Sequence, residues 1–489
     1  MIGPYRSPCE TPAAHWPTGA TGETRWVLPT AILGSSLGFI DGSVVNVALP
    51  AIRSGLDADF STVQWVVNGY MLALASLLLL GGAAGDRLGR RRVFTLGLIA
   101  FAAASFACAI APSPRALVVA RVVQGVAAAF LVPTSLAIIG TAYSGEARGA
   151  AIGTWAAAGA LTTALGPPLG GWLVDSVGWR AIFLINLPVA AVAAILALKL
   201  PADRGTPDAG ALDALGAGLA VVALALLSYG LITLGDGQRA TGTIALAASI
   251  PTILLFVRTE SRAAAPMMPL DLFGHRSFAG ANGLTILLYA ALSGALVLLP
   301  FMLIEVHGYS AAMAGAAFLP FSLIMGIGAR WSGKLSERTG PRAPLVLGPA
   351  VAAAGYVLLG LLAEEATYWR GLLPGLIVVS AGMTLSVPPL TSTVLGAVPQ
   401  ERSGTASGIN NAAARAGSLL AVAALGLAFG GMHATSIDAA TLANAYRTVV
   451  FGAAGLAASC AVIAAITIEP KQNAGAIPSD KREEKRRQR

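Results

Sequence analysis

Fourteen apolar runs follow one another along this 489-residue chain, each of helix length, near 27–50, 63–84, 93–111, 116–141, 149–174, 180–200, 211–234, 241–257, 278–304, 311–332, 343–363, 371–396, 404–430 and 446–468. A membrane-spanning helix needs roughly 20 such residues, whereas strands of a membrane barrel alternate over about ten. The runs therefore read as spans of an all-α integral membrane protein. Breaks between them carry Gly, Pro or charge, as at Pro112–Arg115 and Pro201–Pro207. Only 11% of the residues are charged, against roughly 25% in soluble domains. A soluble enzyme, a disordered scaffold and a single-anchor receptor are excluded. Cys9, Cys108 and Cys460 form no disulfide framework, one lying in a tail and two in apolar runs.

Basic residues give the orientation. With the N-terminus inside, 24 of the 32 Lys and Arg fall in cytoplasmic loops and tails. Six fall outside, namely Arg53, Arg115, Arg180, Arg239, Arg370 and Arg447, and Arg121 and Arg415 lie within spans. Both termini are thus expected in the cytoplasm of a multi-pass cell-membrane protein. The first 25 residues lack a signal-peptide pattern, so the first span is expected to direct insertion. The basic end, Lys481 to Arg489, fits a solvated tail near anionic headgroups, with a specific partner site as the alternative. The net charge of +8 is accordingly a topology signal and does not point to nucleic acid.

The chain repeats itself. Gly82, Asp86, Arg87, Gly89 and Arg91 recur as Gly333, Glu337, Arg338, Gly340 and Arg342, all at an offset of 251. Gly149 and Gly153 match Gly404 and Gly408 at 255, and Pro50 matches Pro300 at 250. Three matches at nearly one offset imply duplication. The expected organisation is a tail (1–25), a six-helix bundle (26–200), a linker with two extra spans (201–276), a second six-helix bundle (277–469) and a basic tail (470–489). Duplicated parallel halves with a path at their interface are a transporter architecture.

Asp41 is the one acid deep in a span, and such a residue is a functional candidate by default. It lies 14 residues into its run, about 21 Å up a helix. Arg121 enters its run from outside by about five residues, roughly 8 Å, so the two can meet at one level. They make either a structural ion pair or a proton site. Arg415 lies about 11 residues into its run, roughly 16 Å deep. It shares a helical face with Gly404, Gly408, Asn411 and Ser418, and Asn282, Tyr289 and Ser293 make a second polar stripe. Cavity lining and interhelical hydrogen bonding both account for these stripes. Gly166-Pro167-Pro168-Leu169-Gly170-Gly171 can kink its helix or let neighbours approach.

Other patterns carry no chemistry. Gly34 to Gly38 fits a hydrolase elbow but lies in an apolar span, and the four histidines lie in tails or loops. Gly328 to Leu335 nearly matches a phosphate-binding loop but has Leu335 where Ser or Thr is needed. No Cys/His cluster has metal spacing. No metal, cofactor, nucleotide or nucleic acid is expected.

The chain resembles the major facilitator superfamily, specifically its 14-span drug:proton antiporter branch. Gly82, Asp86, Arg87, Gly89, Arg90 and Arg91 resemble the superfamily's loop signature, and Glu337, Arg338 and Arg342 its degenerate second copy. Asp41 to Pro50 resembles the branch's first-span motif with Ser43 in place of Thr. Leu117 to Ala129, with Arg121 and Gln124, resembles the fourth-span motif assigned to proton transfer. Gly153 to Gly171, including Gly166, Pro167, Gly170 and Gly171, resembles the antiporter motif, although Thr162 stands where Gly is expected. Trp179-Arg180 and Phe183 to Pro188 also match the branch. The resemblance implies alternating access, with Asp41 and Arg121 handling the proton and Asp86 and Arg91 latching the cytoplasmic side. Asn46, Gln124, Asn282, Tyr289, Asn411 and Arg415 are the expected substrate-cavity residues. The expected partners are a small amphipathic molecule, protons and the bilayer, for a monomeric exporter driven by the proton gradient without a cofactor. Proton-coupled symport, or export of a specific metabolite, is the alternative on the same fold. An intramembrane enzyme would need a buried nucleophile and base, and no span holds a histidine.

Overall fold

The computed structural model describes residues 24–201, 213–263, 266–365, 367–399, 402–430 and 438–470. The helices are α1 (Val27–Gly55), α2 (Phe60–Leu88), α3 (Arg90–Ala109), α4 (Pro114–Ala142), α5 (Gly145–Ser176), α6 (Ala181–Leu184), α7 (Asn186–Ala197), α8 (Ala214–Gly235), α9 (Arg239–Glu260), α10 (Arg276–Phe301), α11 (Ala311–Ala316), α12 (Leu319–Thr339), α13 (Arg342–Leu361), α14 (Tyr368–Gly371), α15 (Leu373–Gly396), α16 (Ser403–Ala424) and α17 (Ala439–Thr467). No strand occurs among the described residues. Of the expected tails (1–25 and 470–489), residues 1–23 and 471–489 lie outside them.

Twelve helical stretches among the described residues are long and apolar enough to cross a membrane. Two of the fourteen expected runs are not among the twelve. Ala181–Ala197 is shorter, broken at Ile185, and α5 is diluted by Gly, Thr and Pro.

Local chemistry sets the helix ends. Asp59, Ser113, Asp213, Ser310 and Asp438 each accept a hydrogen bond from a backbone N–H three residues on, satisfying a first-turn donor. Burial acts against the Asp59 carboxylate, yet its bonds from Thr62 hold it below its usual range. Gly89 and Gly340, equivalent in the repeat, have φ of +96° and +81° and turn the chain between α2 and α3 and between α12 and α13. A side chain at either would be strained.

The chain divides into two compact units. The first holds Met1–Met267, Val297–Leu319 and Val422–Leu442, and the second Met268–Leu296, Pro320–Ala421 and Ala443–Arg489. In the first, α2 and α4 meet backbone to backbone. A Cβ built on Gly81 would lie 2.0 Å from the Ala129 carbonyl oxygen, and one on Gly125 2.3 Å from that of Tyr70. Small residues allow this approach where no hydrophobic effect draws helices together. In the second unit Gly382 meets Ala352 in the same way, with a Cβ clearance of 2.3 Å to the Ala352 nitrogen.

Candidate functional site

Within the first unit, α1, α3, α4 and α7 bring polar side chains to one enclosed point. Asp41 on α1 is fully buried, and so are Gln124 and Ser105, with Arg121 and Asn186 each 1% exposed. Arg121 Nη1 donates to Asp41 Oδ2 at 2.5 Å and to Gln124 Oε1 at 2.7 Å. Arg121 Nε donates to the Val66 carbonyl at 3.1 Å, and the guanidinium stacks on Tyr70 at 4.3 Å. Asp41 Oδ1 accepts from Gln124 Nε2 at 2.9 Å and from Asn186 Nδ2 at 3.3 Å. Ser105 Oγ accepts from both amides, at 3.2 and 2.9 Å, and donates to the Phe183 carbonyl at 2.9 Å.

Each member falls here by helical spacing. Arg121 and Gln124 are one turn apart on α4, and Asn186 opens α7 just after the break at Ile185. A carboxylate and guanidinium removed from water need their remaining bonding positions filled, and amides, a hydroxyl and a backbone carbonyl fill them. The depth comparison placed Asp41 and Arg121 together. The structure also draws in Gln124, expected on a cavity wall, and adds Asn186 and Ser105, which sequence reasoning assigned no role. Asn186 lies in the matched Phe183–Pro188 stretch, the one signal that could have found it. Asn46, on α1 one turn beyond Asp41, is partly buried.

The antiporter stretch packs on this helix. A Cβ on Gly166 would lie 1.9 Å from Ser43 Oγ, and one on Gly170 2.5 Å from Val44 Cγ2, both within a turn of Asp41. Gly171 abuts the Ala311 carbonyl, and Gly315 that of Pro167. Asp175 accepts from the Ala311 and Ala312 amides at 3.1 and 2.8 Å, and Arg53 pairs with Glu305 at 3.1 Å. Gly153 touches nothing that a Cβ would meet. Thr162, standing where Gly is expected, donates to the Ala158 carbonyl and approaches Ser36 Oγ at 3.4 Å.

The repeated loops do the same local work in each unit. Arg91 donates to the Leu198 and Leu200 carbonyls at 2.9 and 2.7 Å, and Arg342 to that of Ala465 at 2.5 Å. Each arginine thus satisfies carbonyls at the end of a helix (α7 and α17), where cations are favoured. Asp86 pairs with Arg90 one turn on at 2.7 Å. Arg87, Arg338 and Glu337 are exposed, and a Cβ on Gly82 would lie 3.7 Å from Pro133. Arg91, expected to latch the cytoplasmic side, is here bonded to carbonyls of its own unit.

In the second unit Thr285 donates to Asn410 Oδ1 at 2.6 Å, and Ser293 to Ser418 Oγ at 2.7 Å. Asn282 is 3% exposed and donates to the Phe278 carbonyl, whereas Asn411 is exposed and Tyr289 and Arg415 are partly buried. Among the described residues no group of three or more His, Cys, Asp or Glu is placed to hold a metal.

Residues 31–422 match the family model of the Major Facilitator Superfamily. The chain is 36% identical over 405 residues to the multidrug resistance protein Stp of Mycobacterium tuberculosis, covering 81% of this chain and 74% of that one. It is 34% identical to the methylenomycin A resistance protein of Bacillus subtilis, covering 84% and 88%. It is also 34% identical to the tetracenomycin C resistance and export protein of Streptomyces glaucescens, covering 85% and 78%. Among solved structures, a bacterial homologue of the human lysosomal transporter Spinster matches with a TM-score of 0.65 at 17% identity, over 92% of this chain and 98% of that one. A POT family transporter in complex with 5-aminolevulinic acid matches at 0.67 and 13%, over 91% and 95%. These two likenesses bear on fold alone. By family model and by relatives across most of its length, the chain belongs to the Major Facilitator Superfamily and is a multi-pass membrane transporter of the drug and antibiotic efflux type.

Proposed function

We propose that the chain exports drug-like or antibiotic-like amphipathic molecules in exchange for protons by alternating access, without a cofactor and as a monomer. The relatives named for resistance and export support efflux. The carrying observation for proton coupling is the enclosed Asp41–Arg121 pair at 2.5 Å. As a carboxylate, Asp41 neutralises Arg121 within a buried cluster. A proton delivered to Asp41 neutralises the carboxyl and leaves the Arg121 charge uncompensated, held by Gln124, Val66 and Tyr70, so arrival and departure of one proton change which bonds hold α1 to α4. Such a two-position element is what a coupled cycle requires. One charge crossing 100 mV gains about 2.3 kcal/mol, a gradient of roughly 40- to 50-fold. No bond in the cargo need form or break.

In this reading the chain crosses the membrane fourteen times. α5 and the 181–197 stretch join the twelve longer apolar spans, α8 and α9 form the insertion, and both ends lie in the cytoplasm. Asp86, Arg90 and Arg91 would serve the cytoplasmic gate, together with their second-copy counterparts. The test is expression in a host lacking its own exporters, scoring susceptibility and compound accumulation with and without an uncoupler. Lower accumulation that the uncoupler abolishes is expected. Accumulation that rises on expression and falls with the uncoupler would instead indicate symport.

A further inference from the structure

The proton cluster accounts for Asp41 and Arg121 and leaves one charge deep in the spans, Arg415. It lies 12 residues after Ser403, where α16 starts, and 14 before Phe429, where the apolar stretch ends. At about 1.5 Å per residue these are roughly 18 and 21 Å. A guanidinium at mid-helix cannot extend along the helix to the headgroups as terminal arginines do.

Contacts fix the direction in which its face looks. Thr285–Asn410 and Ser293–Ser418 join α10 to α16 with the same separation of 125 residues, so the two helices run parallel in one register. Tyr289 lies between the bonded residues of α10, and Arg415 between those of α16. In that register Tyr289 stands level with Ala414, the neighbour of Arg415. Its face is therefore turned to a polar seam, away from lipid. The ion pairs among the described residues join other partners and leave Arg415 without a carboxylate. Two turns back along α10, Asn282 Oδ1 is buried and accepts no hydrogen bond, its amide being directed to Phe278.

A cation in mid-membrane calls for a counter-charge, and for Arg121 the chain supplies one. For Arg415 none of the described residues does. We propose that the cargo supplies it: Arg415 is an anion subsite, and the exported molecules carry an acidic group, a carboxylate or ionised phenol, on an apolar or aromatic body. The planar guanidinium offers two parallel donors to such a group, and a tyrosine at the matching level of α10, Tyr289, suits an aromatic body. This assignment of cargo class rests on the efflux reading. It carries an energetic consequence, since an anion leaving a cell that is negative inside moves with the potential. Each 100 mV then favours its exit by roughly 40- to 50-fold, and exchange for one proton moves two charges.

The experiment uses the full chain in energised inside-out vesicles and one fluorescent aromatic scaffold in three forms: carboxylate, methyl ester and trimethylammonium. The carboxylate should be carried at least 10-fold more efficiently in kcat/KM than either analogue. R415Q should erase the preference of carboxylate over ester, and R415K should keep part of it. Thermal unfolding of each purified variant confirms that it is folded, and R415K keeps the comparison informative should R415Q fail to fold. Dissipating the membrane potential alone should slow the carboxylate more than the ester. Preference for the trimethylammonium form, or an unchanged carboxylate-to-ester ratio in R415Q, overturns the anion subsite and leaves efflux standing. Failure to carry any of the three, together with an unaltered susceptibility profile, overturns efflux itself and the subsite with it.

Discussion

At the residue scale the cluster around Asp41 separates charge from scaffold. Asp41→Asn keeps the shape but removes the charge, leaving Arg121 buried without a counter-ion. Breaking a buried pair from one side typically costs about 3–5 kcal/mol, so a lower unfolding temperature is expected alongside loss of uphill export. Downhill exchange of substrate should persist, since it needs no proton step. Vesicle assays of both processes on one preparation separate the effects, and undiminished uphill export in D41N would remove Asp41 from the proton path. Asn186→Leu deletes one bond to Asp41 and one to Ser105 without altering charge. It should shift the pH profile of transport while leaving uphill export measurable. The charged pair was legible in the sequence because ions are rare in spans and their depths can be compared. Asn186 and Ser105 were not, because interhelical amide and hydroxyl bonds are worth only about 1–2 kcal/mol and such residues are ordinary in membrane helices.

At the element scale, runs of apolar residues located the helices to within a few positions, as with 93–111 for α3, observed at Arg90–Ala109. Interruptions within a run were less visible. The wider turn at Met302–Val306, the tightened turns at Leu425–Phe429 and the break at Ile185 follow from packing and leave no compositional mark. Glycines show the same limit, since which of them tolerate a side chain depends on the neighbour. Gly81→Val would press a side chain against the Ala129 carbonyl, and overpacking of this kind costs about 1–3 kcal/mol. Gly153→Ala meets nothing and, inside a helix, should hold or slightly raise the unfolding temperature despite lying in the antiporter stretch. Thermal unfolding in detergent compares the two. Asp59→Ala should cost about 0.5–2 kcal/mol through loss of the α2 cap. Because the folded protein holds Asp59 below its usual value of 3.8, the cap's contribution is present above that pH and is lost as acid drives the carboxyl through its folded value. The stability gap between wild type and D59A should accordingly close only in strong acid.

For the whole molecule, the proposed fourteen crossings draw their support from contacts within the first unit. α5 follows α1 in parallel: Trp155 meets Phe39, Thr162 meets Ser36, Gly166 and Gly170 meet Ser43 and Val44, and Trp179 meets Gly55. From Ser36 to Gly55 is 19 residues, about 28 Å of helix, close to the roughly 30 Å hydrocarbon core. In the proposed fourteen-span reading, α5 accompanies α1 over that distance and crosses with it. The return stretch is tied at three levels, by Phe183 against Trp179, by Asn186 on Asp41, and by Leu198 and Leu200 on Arg91 of the repeated loop. With fourteen crossings Val177 faces outward, whereas with twelve the whole of 143–213 stays inside. Val177 is 73% exposed, and the two described native cysteines are buried. A single cysteine at Val177, with Cys9 replaced by Ser, should therefore react in intact cells with a membrane-impermeant maleimide, and one at Tyr143 should react only after permeabilisation. Labelling of both positions only after permeabilisation would reduce the count to twelve and place Asn186 on a segment that enters the membrane without crossing it.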